Sequence, residues 1–515
     1  MPTFDVSSAS PTKVTADLLV LPCFQGRKPG PGVAEAGAAL GGDLMDTLKA
    51  NGLSGKLGET FSFPTFGRLK AKYVLVVGLG PEEKAGPVEV RKAAIKAGRA
   101  AAKFATVATT LAQVGDPEAS AHALAEGLAL GAYRFTRYKE RPIDEDSSKA
   151  SQLKRLIALG NGTGGRAAVK EALRRGQIYA DAANWARDLV NTPAKDATPQ
   201  FLASEARKMA ALNGLTCKIW TKGELEKGGF GGILGVGSGS VNEPHLIELG
   251  YKGAGSDQPI GLTGKGVTFD SGGLSLKDAA NMEWMKADMG GAAAALATMR
   301  AIAQLKPRVN VIAAIPSSEN MPGGAAIRPG DVLRHRGGKT SEVLNTDAEG
   351  RLILADALAY LVEKKPRVII DSATLTGAAM VALGNDLWAV MGSDRDLIDD
   401  LLAAGREVGE PGWELPLWTD YRRNIESTVA DVKNVGPRWG GAITAALFLK
   451  EFVGEVPWAH LDVAGTAFAD TPTDYWPRGA TGSPARTIIR YIEGQAEANG
   501  SRRATARRRA RPTTR

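Results

Sequence analysis

Short apolar runs and stretches with helical spacing alternate along the first third of the chain. The runs that predict strands are 14–21, 73–77 and 105–111, and the stretches that predict helices are 88–104 and 117–132. This alternation is typical of an α/β domain, to which we assign residues 1–165. No set of residues with catalytic chemistry stands out in this part of the sequence.

The rest of the chain continues the alternation on a larger scale. A long helical pattern at 166–191 predicts a linker helix, because Pro193 blocks its continuation. Beyond it, the predicted strands are 246–251, 260–263, 309–315, 367–371 and 459–461, and the predicted helices are 279–305, 351–362, 375–383, 397–406 and 442–452. We therefore expect a larger C-terminal domain at 192–495, with a mixed, mainly parallel sheet flanked by helices. Ligands bind at the carboxyl ends of strands in such sheets.

Length and composition agree with a two-domain α/β protein. At 515 residues the chain exceeds one ordinary core. No apolar run reaches the roughly 18 residues that a membrane span needs, and no leader pattern stands at the start, so we expect a cytoplasmic protein without membrane partners. The two cysteines, Cys23 and Cys217, have no metal-type spacing, which argues against a thiolate metal site and a disulfide framework.

The net charge of +8 belongs to the end of the chain. Seven of the 64 basic residues are arginines in the last fifteen positions, and the other 57 nearly balance the 56 acidic residues. We expect 496–515 to be a disordered, Arg-rich tail, since such runs are usually solvated extensions. Nucleic-acid binding through this tail is the alternative interpretation.

Two carboxylates and a guanidinium alternate in one predicted loop. Asp347, Glu349 and Arg351 lie before a helical pattern, and residues two apart in an extended loop point the same way. Two carboxylates held close together favour a divalent cation between them. An acidic helix N-terminus that complements the helix dipole explains the same residues equally well.

A second charged cluster lies upstream. Lys265, Asp270, Lys277 and Asp288 stand among glycines and apolar residues, where charges are costly unless they bind something. For Lys265 a structural ion pair with Asp270 is one alternative. A phosphate-binding loop is another, and it fails because Pro259 and Gly266 occupy positions where that motif requires a glycine and a Ser or Thr.

The loop sequence Asn-Thr-Asp-Ala-Glu-Gly-Arg-Leu at 345–352 resembles the signature of the leucyl aminopeptidase family, and the upstream cluster matches the same family. The likeness extends over about 179–492. It implies a metallo-exopeptidase, a hydrolase that releases N-terminal amino acids from peptides with water activated by two metals. It also implies a homohexamer, with an N-terminal α/β domain that helps to hold the oligomer together.

The resemblance also assigns roles within the site. Asp270, Asp288, Asp347 and Glu349 correspond to carboxylate ligands of two divalent ions per subunit, and Lys265 to an amine ligand, which coordinates only when neutral. Lys277 corresponds to the electrophile that donates to the carbonyl oxygen, and Arg351 to the residue that holds a bicarbonate proton shuttle. The residues that match the pocket for the first side chain are Met285, Thr374, Gly377, Ala464 and Ala467. Manganese and zinc are the expected metals, although an oxygen-rich site selects weakly among divalent ions.

Two other functions remain as alternatives at the level of the sequence. One is a DNA-binding regulator that uses the Arg-rich tail, and the other is a dinuclear phosphoesterase, because paired metals also serve phosphoryl transfer. The four histidines stand outside both charged clusters, so we expect ordinary polar or core roles for His122, His245, His335 and His460.

Overall fold

A computed structural model of this protein describes residues 2–42, 44–140, 153–160, 165–473 and 476–509. The chain separates into two compact units, residues 1–184 with 472–476 and residues 185–471 with 477–515. The division falls inside the helix Gly165–Asn191, within the stretch predicted as a linker. The sequence predicted the end of the first domain at residue 165, where this helix begins, whereas the division falls after residue 184.

The first unit is an α/β domain, as predicted. Its elements are β1 (Thr3–Ser7), β2 (Leu18–Phe24), β3 (Lys28–Pro29), α1 (Val33–Leu40), α2 (Leu44–Ala50), β4 (Thr60–Pro64), β5 (Tyr73–Gly78), α3 (Pro87–Ala101), β6 (Thr106–Thr109), α4 (Pro117–Ala132), β7 (Arg155–Leu159) and the start of α5 (Gly165–Asn191). The described strands form one sheet in the order β1-β7-β6-β2-β5-β4, with β3 beside β2. Only β3 and β4 run antiparallel to their neighbours in this described sheet.

The second unit is the larger one. Its elements are α6 (Pro199–Asn213), β8 (Thr216–Trp220), α7 (Lys222–Gly228), α8 (Gly231–Gly237), β9 (His245–Lys252), β10 (Ile260–Gly264), β11 (Gly266–Asp270), α9 (Ala279–Met282), α10 (Gly290–Leu305), β12 (Asn310–Asn320), β13 (Val332–Arg334), β14 (Thr340–Glu342), α11 (Gly350–Glu363), β15 (Val368–Ala373), α12 (Gly377–Leu383), β16 (Trp388–Gly392), α13 (Arg395–Val408), β17 (Gly412–Glu414), β18 (Val432–Lys433), α14 (Gly441–Lys450), β19 (Trp458–Asp462), β20 (Phe468–Ala469), β21 (Gly479–Ala480) and α15 (Ala485–Arg509).

A mixed sheet forms the centre of this second unit. The strand order is β17-β16-β19-β15-β10-β12-β9-β8, with β11 beside β12. Its middle strands β19, β15, β10 and β12 are parallel, and antiparallel pairs flank them. The middle strand β10 is buried along its whole length, as expected for a strand covered by helices on both faces. The mixed, mainly parallel sheet is therefore confirmed.

The predicted helix at 279–305 is wrong as a single element. The structure has the short helix α9, a 3₁₀ turn at Met285–Ala287 and then α10. Helical apolar spacing continues through the break, which is why the sequence pattern missed it. The second residue of α10, Gly291, lies against the sheet, because a Cβ there would lie 2.0 Å from the carbonyl oxygen of Ser372. Only glycine lets the helix approach the sheet this closely.

The C-terminal helix differs from the expectation for the tail. Helix α15 continues to Arg509, into the segment where we expected disorder, and residues 510–515 lie outside the described residues. Alanine, arginine, glutamine and glutamate are strong helix formers, which favours this continuation. In the described part of the chain, no helix has the length and apolar character needed to cross a membrane.

Candidate active site

The predicted ligands lie where neighbouring parallel strands end. Lys265 follows β10 directly, and Asp270 is the last residue of β11. Thr374 follows the end of β15, which pairs with β10 in parallel. Because carboxyl ends of parallel strands meet at one edge, residues distant in sequence converge there.

Two ammonium groups lie between the carboxylates. Nζ of Lys265 is 2.8 Å from Oδ1 of Asp288 and 2.6 Å from Oε1 of Glu349. Nζ of Lys277 is 2.9 Å from Oδ2 of Asp270 and also contacts Oδ1 of Asp347. The structure thus brings together all five predicted metal ligands and the predicted electrophile.

Burial perturbs the acid–base behaviour of the whole cluster. Loss of solvent raises the pKa of Asp288 well above its ordinary value, and it also raises the pKa of Asp270 and Asp347. For Lys265 burial acts in the opposite direction, yet the surrounding carboxylates prevail and raise its pKa. Like charges this close require cations, which the two lysines supply only in part.

The cluster fits a divalent metal. Single oxygens from Asp270, Asp347 and Glu349 lie within 4.8 Å of one another. Oδ2 of Asp288 and Oε2 of Glu349 are buried and have no hydrogen-bond donor among the described residues. A buried anionic oxygen without a donor is costly, so these atoms are suited to a cation. Carboxylate oxygens with one amine form a donor set that suits several divalent metals.

Hydrogen bonds join the two loops that carry these ligands. Thr346 Oγ1 donates to the carbonyl oxygen of Gly272 and accepts from the amide of Ser275 at 2.8 Å. Gly272 and its neighbour Gly273 have φ angles of +86° and +63°, which residues with a side chain rarely adopt. A Cβ on Gly273 would also lie 2.8 Å from Oδ1 of Asn320. The glycines therefore allow the upstream loop to lie against the signature loop.

A third glycine makes room for the amine. A Cβ on Gly350, at the start of α11, would lie 2.6 Å from Cδ and Cε of Lys265. The Lys265 backbone is fixed as well, because its amide donates to Ser372 at 3.0 Å and its carbonyl accepts from Ala292 at 2.9 Å. The side chain of Lys265 therefore extends to the carboxylates through space that a side chain at position 350 would occupy.

Arg351 lies behind the carboxylates. Its Nη1 donates to the carbonyl oxygen of Asn434 at 2.7 Å, and its buried Nε has no acceptor among the described residues. Burial lowers the pKa of Arg351 to about 10, although Glu349 and Asp462 oppose the shift. Asn434 in turn holds the signature loop, because its amide donates to the carbonyl of Asn345 at 2.7 Å.

A cavity of about 580 Å³ opens onto the cluster. Of the predicted pocket residues, Met285, Thr374, Gly377 and Ala464 line it. Ala467 does not; it is buried, and a Cβ on Gly290 would lie 3.0 Å from its own Cβ. The apolar and aromatic lining residues that the sequence analysis missed are Leu276, Trp284, Leu375, Met380 and Phe468.

One missed residue organises the loops around this cavity. Oδ1 of Asp462, at the end of β19, accepts from the amides of Leu375 at 3.2 Å, Thr376 at 3.4 Å and Ala464 at 3.2 Å. Its Oδ2 accepts from the Thr376 hydroxyl at 2.6 Å. Its position directly after a predicted strand, 459–461, was the only signal in the sequence that could have singled it out.

The histidines of this unit have structural roles. Nδ1 of His460 lies 2.5 Å from Oδ1 of Asp371, and both side chains are fully buried. His335 lies 2.7 Å from the hydroxyl of Ser341 and 3.3 Å from Asp356, which resembles a Ser-His-Asp triad. All three are buried, and none lines the cavity, so a substrate has no access to the serine.

Two family profiles together match most of the chain. The profile of the cytosol aminopeptidase family, catalytic domain, matches residues 184–489. The profile of the N-terminal domain of the same family matches residues 20–142. Neither alternative function, DNA-binding regulator or phosphoesterase, is favoured by these matches.

Individual relatives are similar in sequence to this chain over nearly its full length. A probable cytosol aminopeptidase of Geobacter sp. (strain M21) is 42% identical, covering 95% of this chain and 99% of its own length. A probable cytosol aminopeptidase of Streptomyces coelicolor is 43% identical, with coverage of 96% and 98%.

Two solved structures are similar in fold to this chain over nearly its full length. The bottromycin maturation enzyme BotP in complex with Mn matches with a TM-score of 0.83 and 37% identity, over 93% of this chain and 100% of that one. A mutant of tomato leucine aminopeptidase matches with a TM-score of 0.85 and 32% identity, over 96% and 97%. The chain therefore belongs to the cytosol aminopeptidase family, and it is a metal-dependent aminopeptidase of the leucyl type.

Proposed function

We propose that this enzyme removes the first amino acid from peptides with a free N-terminus at the cavity between the charged cluster and the Asp462-bound loops. The observation that carries the proposal is the set of buried carboxylate oxygens without donors, next to two lysines at the edge of a cavity. Such oxygens can hold cations, and the cavity beside them leaves room for a side chain of the substrate.

The residues that would hold two divalent ions are Lys265, Asp270, Asp288, Asp347 and Glu349. We propose that the two ions are manganese or zinc, and the structure of BotP in complex with Mn supports manganese. When bound, such ions supply an activated water nucleophile and polarise the peptide carbonyl. With a cation present, Lys265 no longer has to neutralise the carboxylates, so its amine can lose its proton and serve as a ligand.

Lys277 is the proposed electrophile. Its side chain is 14% exposed and lines the cavity, so its Nζ can donate to the carbonyl oxygen of the bond being cleaved. Burial acts to lower the pKa of Lys277, but the neighbouring carboxylates Asp270 and Asp347 outweigh it and raise the pKa. A fixed donor aimed at a developing oxyanion is a strong source of rate enhancement.

Arg351 is the proposed holder of a bicarbonate ion that would carry a proton during the reaction. Its buried Nε lacks an acceptor among the described residues, so one donor is available for an oxyanion. The planar guanidinium matches a planar anion with two acceptor oxygens.

Assembly and location complete the proposal. We propose a homohexamer and a cytoplasmic enzyme, as the family resemblance implies. A secondary role in nucleic-acid binding would depend on the arginines at 502–515, and salt-sensitive DNA retardation that disappears on deletion of this segment is its test.

Hydrolysis of leucine p-nitroanilide tests the main proposal. We expect a chelator to abolish hydrolysis and added Mn²⁺ or Zn²⁺ to restore it. Asp347→Asn should remove metal and activity together, because it weakens a site in which three carboxylates converge. Asp331→Asn is the matched control, since Asp331 pairs with Arg328 on the surface. Hydrolysis that is indifferent to chelator, or full activity in the Asp347 variant, would refute the assignment.

A further inference from the structure

An aromatic pair lines the same cavity as the charged cluster. Trp284 and Phe468 have ring centroids 5.4 Å apart, with their planes inclined by 52°. Trp284 comes directly before Met285, and Phe468 directly after Ala467, yet neither aromatic residue belongs to the pocket that the sequence predicts. Both rings are half-buried, so part of each is accessible to a ligand.

Neighbouring groups hold both rings in place. The guanidinium carbon of Arg478 lies 4.4 Å from the centre of the Trp284 ring, a cation–π contact. Phe468 belongs to β20 and pairs with Ala480 of β21. The amide of Ala480 donates to Oδ1 of Asn191 at 3.0 Å, which anchors this hairpin to the end of α5. A fixed aromatic surface loses little entropy when a ligand packs on it.

The position of Ala467 makes the pair decisive for specificity. Ala467 is 2% exposed and does not line the cavity, so it cannot bound the space for a side chain. Phe468, its neighbour, occupies the lining instead. The same cavity is lined by Lys265, Lys277 and the carboxylates Asp270, Asp288 and Asp347. A peptide anchored on these charged groups has its first side chain in a cavity whose apolar lining includes the two rings.

We infer that Trp284 and Phe468 form the wall of the pocket for the first side chain, and that they make the enzyme favour aromatic and large aliphatic first residues over alanine. The inference rests on the proposed function, and it adds two specificity-determining residues to it. Rings pack on aromatic and large apolar side chains over a wide area, whereas an alanine methyl leaves most of the wall uncovered.

Anilides with one leaving group isolate the first side chain, because they contain no second residue. We would compare kcat/KM for the p-nitroanilides of phenylalanine, leucine and alanine in the manganese-loaded enzyme. The phenylalanine-to-alanine ratio should fall about tenfold or more in Trp284→Ala and in Phe468→Ala, a range typical of pocket contacts. Trp413→Ala is the control, because Trp413 is 64% exposed and does not line the cavity.

The ratio is also insensitive to partial misfolding, since a lower folded fraction reduces the measured activity on all three substrates equally. Trp284→Leu is a milder second variant, expected to lower the same ratio less. If the wild type is active and both alanine variants keep its phenylalanine-to-alanine ratio, the inference is overturned. An effect confined to a series of Leu-X dipeptides would assign the wall to the second residue and would also overturn it. A wild type inactive on every anilide would instead contradict the proposed function.

Discussion

The side-chain amide nitrogen of Asn320 lies 2.8 Å from Oδ1 of Asp270, one of the proposed metal ligands. The same amide donates to the carbonyl oxygen of Thr346 at 3.0 Å, so one residue at the end of β12 positions both ligand-bearing loops. Groups that orient metal ligands affect metal binding almost as strongly as the ligands themselves.

Replacing Asn320 with alanine should weaken metal binding about 10-fold to 100-fold, because Asp270 loses one of its two donors to Oδ1 and the loops lose one of their shared partners. Metal titration by calorimetry measures the effect. Asn310→Ala is the matched control: Asn310 lies on the same strand and bonds to the backbone of the 253–257 loop, away from the cavity. Equal metal affinity in both variants would contradict the positioning role of Asn320.

Lys277→Ala should lower kcat about 100-fold to 1,000-fold while two metals per subunit remain bound, since the role proposed for this lysine is to stabilise the oxyanion and not to bind metal. Stopped assays on leucine anilide with parallel metal analysis would measure both quantities. Lys286→Ala serves as the control, because Nζ of Lys286 bonds to the backbone of Asn191 at 3.2 Å. A Lys277 variant that had lost its metals would assign that lysine to metal binding instead.

Asp462→Ala should reduce kcat/KM about 10-fold, largely through a higher KM, and leave metal content intact. Three backbone amides and one hydroxyl lose their acceptor, so the loops at 374–377 and 464 no longer keep the shape of the cavity. Asp462→Asn should recover part of the loss, because an amide oxygen still accepts hydrogen bonds. Metal loss in either variant would show that Asp462 acts on the charged cluster and not on the cavity walls.

Ser341→Ala should leave hydrolysis of leucine anilide within about twofold of the wild type, even though Ser341, His335 and Asp356 resemble a catalytic triad. The substitution should lower stability by about 1 to 3 kcal/mol, because buried His335 loses a hydrogen-bond partner. Urea unfolding measures this cost. A loss of turnover in a folded, metal-loaded Ser341 variant would contradict the structural role.

Local patterns were enough to predict much of the fold. The helix expected at 117–132 has those bounds as α4, and the strand expected at 260–263 is β10 with one more residue. The charged cluster followed from a different signal, because Lys265 and Asp270 are charged residues among glycines and apolar residues, where charges are costly unless they bind something. Each of these inferences uses residues that are close together in the sequence.

The parts that could not be predicted depend on distant contacts. Asn434 holds the signature loop from about ninety residues away, and Asn320 reaches Asp270 from fifty. Nothing near either asparagine marks it as a buried partner of a ligand loop. The break before α10 was missed because helical apolar spacing continues through it, and the close approach of Gly291 to Ser372 of β15 is a contact that local spacing does not reveal.

Position 350 has a consequence for how this enzyme can diversify. The volume that a methyl group would occupy there is already filled by the aliphatic stem of Lys265, so even alanine would push the amine away from its partners. By contrast, Trp284 and Phe468 of the proposed aromatic wall line an open cavity, where a substitution can change substrate preference. The amine of Lys265 would have to move to accommodate a side chain at position 350, so a selection that demands turnover should remove variants at this glycine.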